Sequence, residues 1–193
     1  YQAKQKGVHQ DVAIKRLHPE YYRNKEIVAR FRAEAESYAR ITHPNAVKLI
    51  DLLNVQGQLC IIMEYVNGKT LTQFIEKGYV FTIRQIVDIG LQLADALGTV
   101  HRAGIIHRDL KTENIMLLQT VPGRFSVKIL DFGIAKILDK PSAEHKTKDG
   151  IIVGTPEFMS PEQCYGLDVD HRTDIYAYGI LMFVMVTGRL PFI

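Results

Sequence analysis

The octet HRDLKTEN at residues 107–114 holds the chain's densest group of side chains that could do chemistry. Asp109, Lys111 and Asn114 bring a carboxylate, an amine and a carboxamide into this short stretch. Asn114 comes five residues after Asp109, and a loop of that length can bring both side chains to one cleft. A further carboxylate, Asp131, begins the tripeptide DFG. Turn-forming Asx chemistry would explain Asp109 or Asn114 singly, but it does not account for the octet.

Lys15 is the remaining candidate for a residue with a chemical role, and it is the last residue of the short β-type run VAIK at 12–15. A solvated strand lysine is the alternative interpretation. The apolar residues directly before it favour a functional position.

The composition is that of an ordinary globular protein and excludes several other classes. Of the 193 residues, 47% are hydrophobic and 23% are charged, which does not fit a disordered chain. The net charge of +3 is small and its basic residues are scattered, so no nucleic-acid partner is expected. Cys60 and Cys164 show no CxxC spacing, which favours reduced thiols in the cytoplasm over a disulfide or zinc site.

No signal peptide is recognised, and the apolar run at 180–186 is well short of the ~20 residues of a membrane span. We therefore expect no membrane contact by this segment, while the parent protein could still be anchored.

Hydrophobic periodicity predicts an α+β chain in two parts. Strands are expected near 12–14, 47–53, 59–65, 114–118 and 127–130, and the residues at 54–57, which join the second strand to the third, have hairpin chemistry. Helices are expected near 24–40, near 82–101 and from about 173 to just before 187. The two later strands flank a Pro-Gly turn, and residues 136–149 read as a polar surface loop. The boundary near Asn67 divides the chain into a β-rich lobe at 1–66 and a larger helical lobe at 67–193.

The motifs VAIK, HRDLKTEN and DFG, in this order and on these elements, resemble the signature set of protein kinases. The resemblance covers essentially the whole chain. It implies a two-lobed kinase fold, with a small antiparallel sheet and a helix in the N-lobe and a larger, mainly helical C-lobe. It also implies transfer of the γ-phosphoryl group of ATP, with Mg²⁺, to protein substrates, and a dimer would permit autophosphorylation between copies.

By this resemblance, each chemical residue receives a role. Asp109 is the catalytic base, and Asn114 and Asp131 hold Mg²⁺. Lys15 binds the α- and β-phosphates. Its carboxylate partner is expected to be Glu34, with Glu36 as the alternative on another helix face.

Lys111 points to serine and threonine as acceptors, because Asp-Leu-Lys-x-x-Asn is the serine/threonine form in this family. Thr155, which follows Gly154, is expected to hydrogen-bond near Asp109 and Lys111. The triplet SPE at 160–162 departs from the usual Ala-Pro-Glu, and with the residues after DFG it makes the chain most similar to bacterial members.

The adenine ring is assigned to the junction of the two lobes. Met63 resembles the gatekeeper, and the backbone of Glu64 and Val66 would bond the base. Ala13 and Met116 would sandwich the ring.

His107 is interpreted as a packing residue rather than an acid–base group. The resemblance stacks it with Phe132, Tyr38 and Leu49 into a spine that joins the lobes. Asp174, at the start of the last helix, is expected to brace the backbone around His107, although a helix cap would look the same.

Regulation is predicted through the activation loop, because Arg108 could pair with a phosphate there. Thr147 is the preferred phosphate acceptor, and Ser142 is the next candidate.

The resemblance also predicts that this piece is truncated at both ends, without the glycine-rich loop and the final helices. A pseudokinase acting as a nucleotide-sensing or scaffolding module remains an alternative function, as does a small-molecule phosphotransferase.

Overall fold

The computed structural model describes residues 1–4, 10–131 and 156–192. The strands in these ranges are β1 (Gln2–Lys4), β2 (Asp11–Arg16), β3 (Leu49–Val55), β4 (Gln58–Glu64), β5 (Lys69–Thr70), β6 (Ile115–Val121) and β7 (Arg124–Ile129). The α-helices are α1 (Lys25–Tyr38), α2 (Leu71–Glu76), α3 (Ile83–Arg102), α4 (Pro161–Cys164) and α5 (Arg172–Thr187). Short 3-10 helices lie at Pro19–Tyr21, Thr112–Asn114 and Pro156–Phe158. The α+β class expected from the sequence is confirmed.

The first part of the chain forms a four-stranded antiparallel sheet in the order β1-β2-β4-β3. Asn24 caps α1 by accepting hydrogen bonds from two backbone N–H groups, and the helix buries Phe31, Ala35 and Tyr38. The predicted hairpin between β3 and β4 turns through Gln56 and Gly57, whose φ angles are 53° and 82°. Positive φ at both positions of a two-residue loop matches the right-handed twist of the flanking strands.

Helices and a small sheet form the second part. A capping box of Thr82 and Gln85 starts α3, which buries one apolar stripe, and Gly188 ends α5 in the left-handed conformation. The sheet has the order β5-β6-β7. In the described ranges, no helix is both long and apolar enough to cross a membrane.

Several local features differ from the sequence prediction, among them the position of Asn114 and the short helix α2. Asn114, predicted to begin a strand, ends a 3-10 turn instead, because its N–H donates to the carbonyl of Lys111 at 3.0 Å. The short helix α2 was not predicted, since it is only six residues long.

A backbone ladder connects the two parts behind the cleft. The N–H of Val47 donates to the carbonyl of Ile129 at 2.9 Å, and the N–H of Ile129 donates to the carbonyl of Asn45 at 2.8 Å. The buried Asn45 amide donates to Gln92 Oε1 at 2.9 Å and to the Val127 carbonyl at 2.8 Å. These bonds fix β7, which leads directly into Asp131, against the first part of the chain.

Candidate active site

Asp109 and its two neighbours form the centre of the site. Asp109 Oδ2 accepts a hydrogen bond from Asn114 Nδ2 at 3.1 Å and lies 3.4 Å from Lys111 Nζ. Asn114 Nδ2 also donates to the Asp109 carbonyl at 2.7 Å. Because the amide nitrogen of Asn114 faces Asp109, its amide oxygen is the atom that a cation would meet. The structure thus brings together three of the predicted site residues.

A buried carboxylate from α5 holds the backbone before Asp109. Asp174 accepts hydrogen bonds from the N–H groups of His107 and Arg108, both at 2.8 Å, and from His101 Nε2 at 2.7 Å. Burial pushes the pKa of Asp174 up, but the bond from His101 and the two backbone bonds outweigh it, so the net pKa is lowered. Asp174 therefore braces the loop, as the sequence predicted.

Arg108 occupies a strained backbone conformation, with φ at 64°. Two hydrogen bonds fix it there. Its N–H donates to Asp174, and its carbonyl accepts from Gln163 Nε2 at 2.8 Å. Within the described residues, its buried Nε atom has no hydrogen-bond partner.

His107 is fully buried and makes hydrogen bonds at both ring nitrogens. Nδ1 accepts the N–H of Asp109 at 3.2 Å, so Nε2 carries the proton and donates to the Leu130 carbonyl at 2.8 Å. Burial lowers the pKa of His107, which keeps the ring neutral. This geometry fits a packing residue, and Tyr38 and Leu49 are likewise buried.

Lys15 of β2 reaches the second acidic residue. Its Nζ lies 2.8 Å from Asp131 Oδ1, with about a quarter of the Lys15 side chain and a third of the Asp131 side chain exposed. Asp131 also has a left-handed φ of 53°, which aspartate tolerates better than most residues. Glu34 is half-buried on α1 and Glu36 is exposed, which favours Glu34 as the helix carboxylate; its pairing with Lys15 stays a prediction.

The predicted adenine residues lie on strands of both sheets. Ala13 on β2 stands opposite the buried Met63 on β4. Met116 lies on β6, while Glu64 ends β4 and the half-buried Val66 follows it. Glu64 donates its own N–H to the Lys48 carbonyl at 2.9 Å, so an adenine amino group would meet its carbonyl oxygen.

The oxygen atoms of Asp131 and Asn114 are suited to a magnesium ion whose other ligands are phosphate oxygens of the substrate. Asp131 contributes a carboxylate and Asn114 an amide oxygen, both hard ligands. Among the described residues, no cluster of three His, Cys, Asp or Glu could hold a metal alone. Mg²⁺ is commonly bound by one or two carboxylates together with phosphates and water.

The serine of the SPE triplet, which replaces the more usual alanine, has a structural explanation. Ser160 is fully buried, and its hydroxyl lies 2.5 Å from the hydroxyl of Thr173 at the start of α5. Thr173 in turn donates to Glu162 Oε1 at 3.0 Å. The hydroxyl therefore gives α4 a polar connection to α5 that an alanine would not supply.

Several predicted residues lie outside the described ranges. They are Phe132, Gly133, Ser142, Thr147, Gly154 and Thr155.

Sequence reasoning missed three residues that support the site. Gln163 bonds the Arg108 carbonyl, His101 bonds Asp174, and Lys128 pairs with Glu64. Gln163 directly follows the SPE triplet, but nothing in the sequence relates it to Arg108. His101 and Asp174 are likewise far apart in sequence. No signal in the sequence relates Lys128 to Glu64, because they are distant along the chain and belong to different sheets.

Comparison with known proteins gives consistent matches. The family profile described as protein kinase domain matches residues 1–193. The serine/threonine-protein kinase pkn3 of Myxococcus xanthus is 41% identical over all of this chain, which spans 36% of that protein. PknB of Mycobacterium leprae, also a serine/threonine-protein kinase, is 38% identical over 96% of this chain and 30% of its own length. The crystal structure of the Mycobacterium tuberculosis PknI kinase domain is 30% identical with a TM-score of 0.75, covering 99% of this chain and 69% of that domain. The chain thus spans about a quarter to a third of the length of the curated relatives it matches.

Proposed function

Because this chain belongs to the protein kinase domain family, we propose that it transfers the γ-phosphoryl group of ATP to serine and threonine hydroxyl groups of proteins. One observation carries this proposal. Asp109 lies beside Lys111 and Asn114, while Lys15 from the other sheet reaches Asp131 at 2.8 Å. These contacts support Asp109 as the proposed base and Lys15 as the proposed phosphate-binding lysine.

In the proposed reaction, the substrate hydroxyl gives its proton to the Asp109 carboxylate. Its oxygen forms a bond to the γ-phosphorus, while the bond from that phosphorus to the β–γ bridging oxygen breaks and ADP leaves. Lys111 stands 3.4 Å from Asp109, where its charge orients the carboxylate and stabilises negative charge on the transferred group.

The remaining residues bind and orient the nucleotide. Asn114 and Asp131 would hold Mg²⁺, which when bound neutralises charge on the phosphate oxygens. Lys15 would contact the α- and β-phosphates, with Glu34 as its helix partner. The backbone of Glu64 and Val66 would fix the adenine.

Two features support serine and threonine as acceptors over tyrosine. Lys111 stands in the family's serine/threonine form of the loop, and relatives covering the whole chain are described as serine/threonine-protein kinases. Thr155 is proposed to shape the hydroxyl site beside Asp109.

We further propose that the reaction takes place in the cytoplasm, since ATP is available there and both cysteines are unpaired.

The decisive experiment measures transfer of radiolabelled phosphate from ATP to a generic protein substrate by the full-length protein. Asp109→Asn should lower transfer by about 10²–10⁴-fold, the usual contribution of a positioned base. Asp168→Asn, at an exposed position, is the matched control and should retain activity. Equal transfer by the wild type and Asp109→Asn would refute the assigned base. Nucleotide binding without any transfer would support the pseudokinase alternative, and phosphotyrosine in the product would overturn the substrate class.

Phosphorylation of Thr147 is proposed to activate the enzyme. Arg108 directly precedes Asp109 and carries a guanidinium, which is able to pair with a phosphate on the activation loop. After incubation with ATP, Thr147→Ala should be less active than the wild type, while Ser142→Ala should not differ. Unchanged activity of Thr147→Ala would contradict the proposal. If copies phosphorylate each other in a dimer, the rate of activation should rise with protein concentration.

A further inference from the structure

Glu64, at the end of β4, has a side chain with a structural role that the adenine contact does not use. Its Oε1 accepts the backbone N–H of Lys48 at 2.8 Å. The same oxygen lies 2.5 Å from Lys128 Nζ. The carboxylate therefore ties the backbone that leads out of β4 to two other segments.

Lys128 belongs to β7, in the other sheet, so this ion pair crosses the junction between the two sheets. Lys128 Nζ also donates to the Ala46 carbonyl at 3.4 Å. Only 19% of the Lys128 side chain and 26% of the Glu64 side chain are exposed. The pair is thus partly shielded from water and salt, unlike a surface pair that contributes little.

The strand register places Lys128 beside the nucleotide cleft. Lys128 lies directly opposite Met116 on β6. Directly opposite residues of an antiparallel pair project from the same face of the sheet. Lys128 therefore connects the strand that carries one predicted adenine contact, Met116, with the side chain of another adenine residue, Glu64.

We propose that Lys128 is a positioning residue for adenine binding, which holds the Glu64 carboxylate and so fixes the backbone of Glu64 relative to Met116. The inference rests on the proposed function, because it takes these residues to be the adenine site. Lys128 need not touch the nucleotide itself. Its effect should appear in the affinity for the base and not in the phosphoryl-transfer step.

The test compares Lys128→Met with the wild type in the full-length protein, using calorimetric binding of ATP and of adenosine. Both dissociation constants should rise by about three- to tenfold, as expected when one neutral hydrogen bond to the base is weakened. Adenosine carries no phosphate, so an equal effect on both ligands excludes a simple loss of attraction between lysine and phosphate. The rate at saturating ATP should stay within about twofold of the wild type.

Two further variants make the result specific. Lys48→Met removes a neighbouring exposed positive charge but keeps the backbone N–H that bonds Glu64, so nucleotide binding should not change. Lys128→Arg keeps a cation able to pair with Glu64 and should restore most of the affinity for adenosine.

The outcomes separate this inference from the proposed function. If Lys128→Met has a lower melting temperature but binds adenosine as the wild type does, Lys128 has only a structural role and the inference is wrong. Weaker binding of ATP with unchanged binding of adenosine would also overturn the inference. Failure of the wild type to transfer phosphate would instead refute the proposed function, and the binding measurements would still decide the role of Lys128.

Discussion

Replacing Asp174 by Asn is the sharpest test of how the site is held in place. The carboxylate has two oxygens, of which Oδ1 accepts the N–H of Arg108 and Oδ2 accepts both the N–H of His107 and His101 Nε2. An amide of the same shape offers only one oxygen. Its NH₂ group must then face an N–H donor, in a position where the native side chain is 1% exposed.

The magnitude follows from counting these bonds. The orientation that loses least keeps the oxygen on His107 and His101, and it sacrifices the bond from Arg108. A hydrogen bond to a charged group is worth about 1.5–3 kcal/mol, and the two remaining bonds weaken as the acceptor becomes neutral. We therefore expect the loop at 107–110 to lose about 2–4 kcal/mol of stability against local opening.

Amide hydrogen exchange of the full-length protein, followed by mass spectrometry, measures this local opening. Peptides that contain residues 107–110 should exchange about 30- to 1,000-fold faster in Asp174→Asn, and phosphoryl transfer should fall because Asp109 is no longer held in position. Asp170→Asn is the matched control, because that half-buried residue on the preceding turn bonds Arg172 and not the loop. Exchange and activity of Asp174→Asn equal to those of Asp170→Asn would refute the bracing role.

The pH dependence gives an independent check. The pKa of Asp174 is lowered in the folded protein, so its stabilising contribution is complete above the unfolded value of about 4 and is lost as pH falls through the folded value. The difference between the wild type and Asp174→Asn should therefore be full at pH 7 and should shrink below about pH 4. A difference that grows on acidification would contradict the assigned charge state.

Three further substitutions test separate parts of the structure. Burial lowers the pKa of His107 in the folded protein, so below pH 6.5 the unfolded chain takes up the proton first and the unfolding free energy falls with pH. His107→Phe removes this contribution and should make that fall shallower by up to about 1.4 kcal/mol per pH unit. An unchanged slope of unfolding free energy against pH, measured by denaturant titration, would contradict this. Gln92→Leu should cost about 2–5 kcal/mol in the same assay, since it leaves two backbone groups of β7 without their partner, whereas Gln119→Leu at an exposed position should cost little. Lys15→Met should lower phosphoryl transfer by about 10²-fold or more, as expected for a residue that stabilises the transferring phosphates, while Lys4→Met on the exposed edge strand should remain active.

Elements with strong local signals were predicted from the sequence. The expected helix at 82–101 is observed as α3, because its apolar residues recur at helical spacing and Thr82 with Gln85 supplies the capping box. The hairpin between β3 and β4 is also confirmed, since Gly57 adopts positive φ without strain. Asn114 was placed in a strand because its apolar neighbours suggested one, but a local 3-10 bond to Lys111 takes precedence.

The chemical residues could be predicted because their spacing in the loop is short. Asp109, Lys111 and Asn114 lie within one loop, so their proximity in sequence already implies proximity in space. The contact of Lys15 with Asp131 was not predicted, because the family resemblance pairs Lys15 with a helix carboxylate and assigns Asp131 to Mg²⁺.

Supporting contacts could not be predicted in this way, because they join residues that are far apart in sequence and chemically ordinary. Nothing distinguishes Lys128 from other strand lysines until β7 is placed beside the end of β4, where its Nζ meets Glu64. Likewise, Gln163 matters only because the strained Arg108 carbonyl lies 2.8 Å away. Motifs identify the groups that react, whereas the groups that hold them depend on the packing of distant elements. A chain with the same motifs but without Lys128 and Gln163 is therefore expected to keep the reaction and differ in nucleotide affinity and loop stability, so these two positions are the ones to vary when the motifs are kept constant.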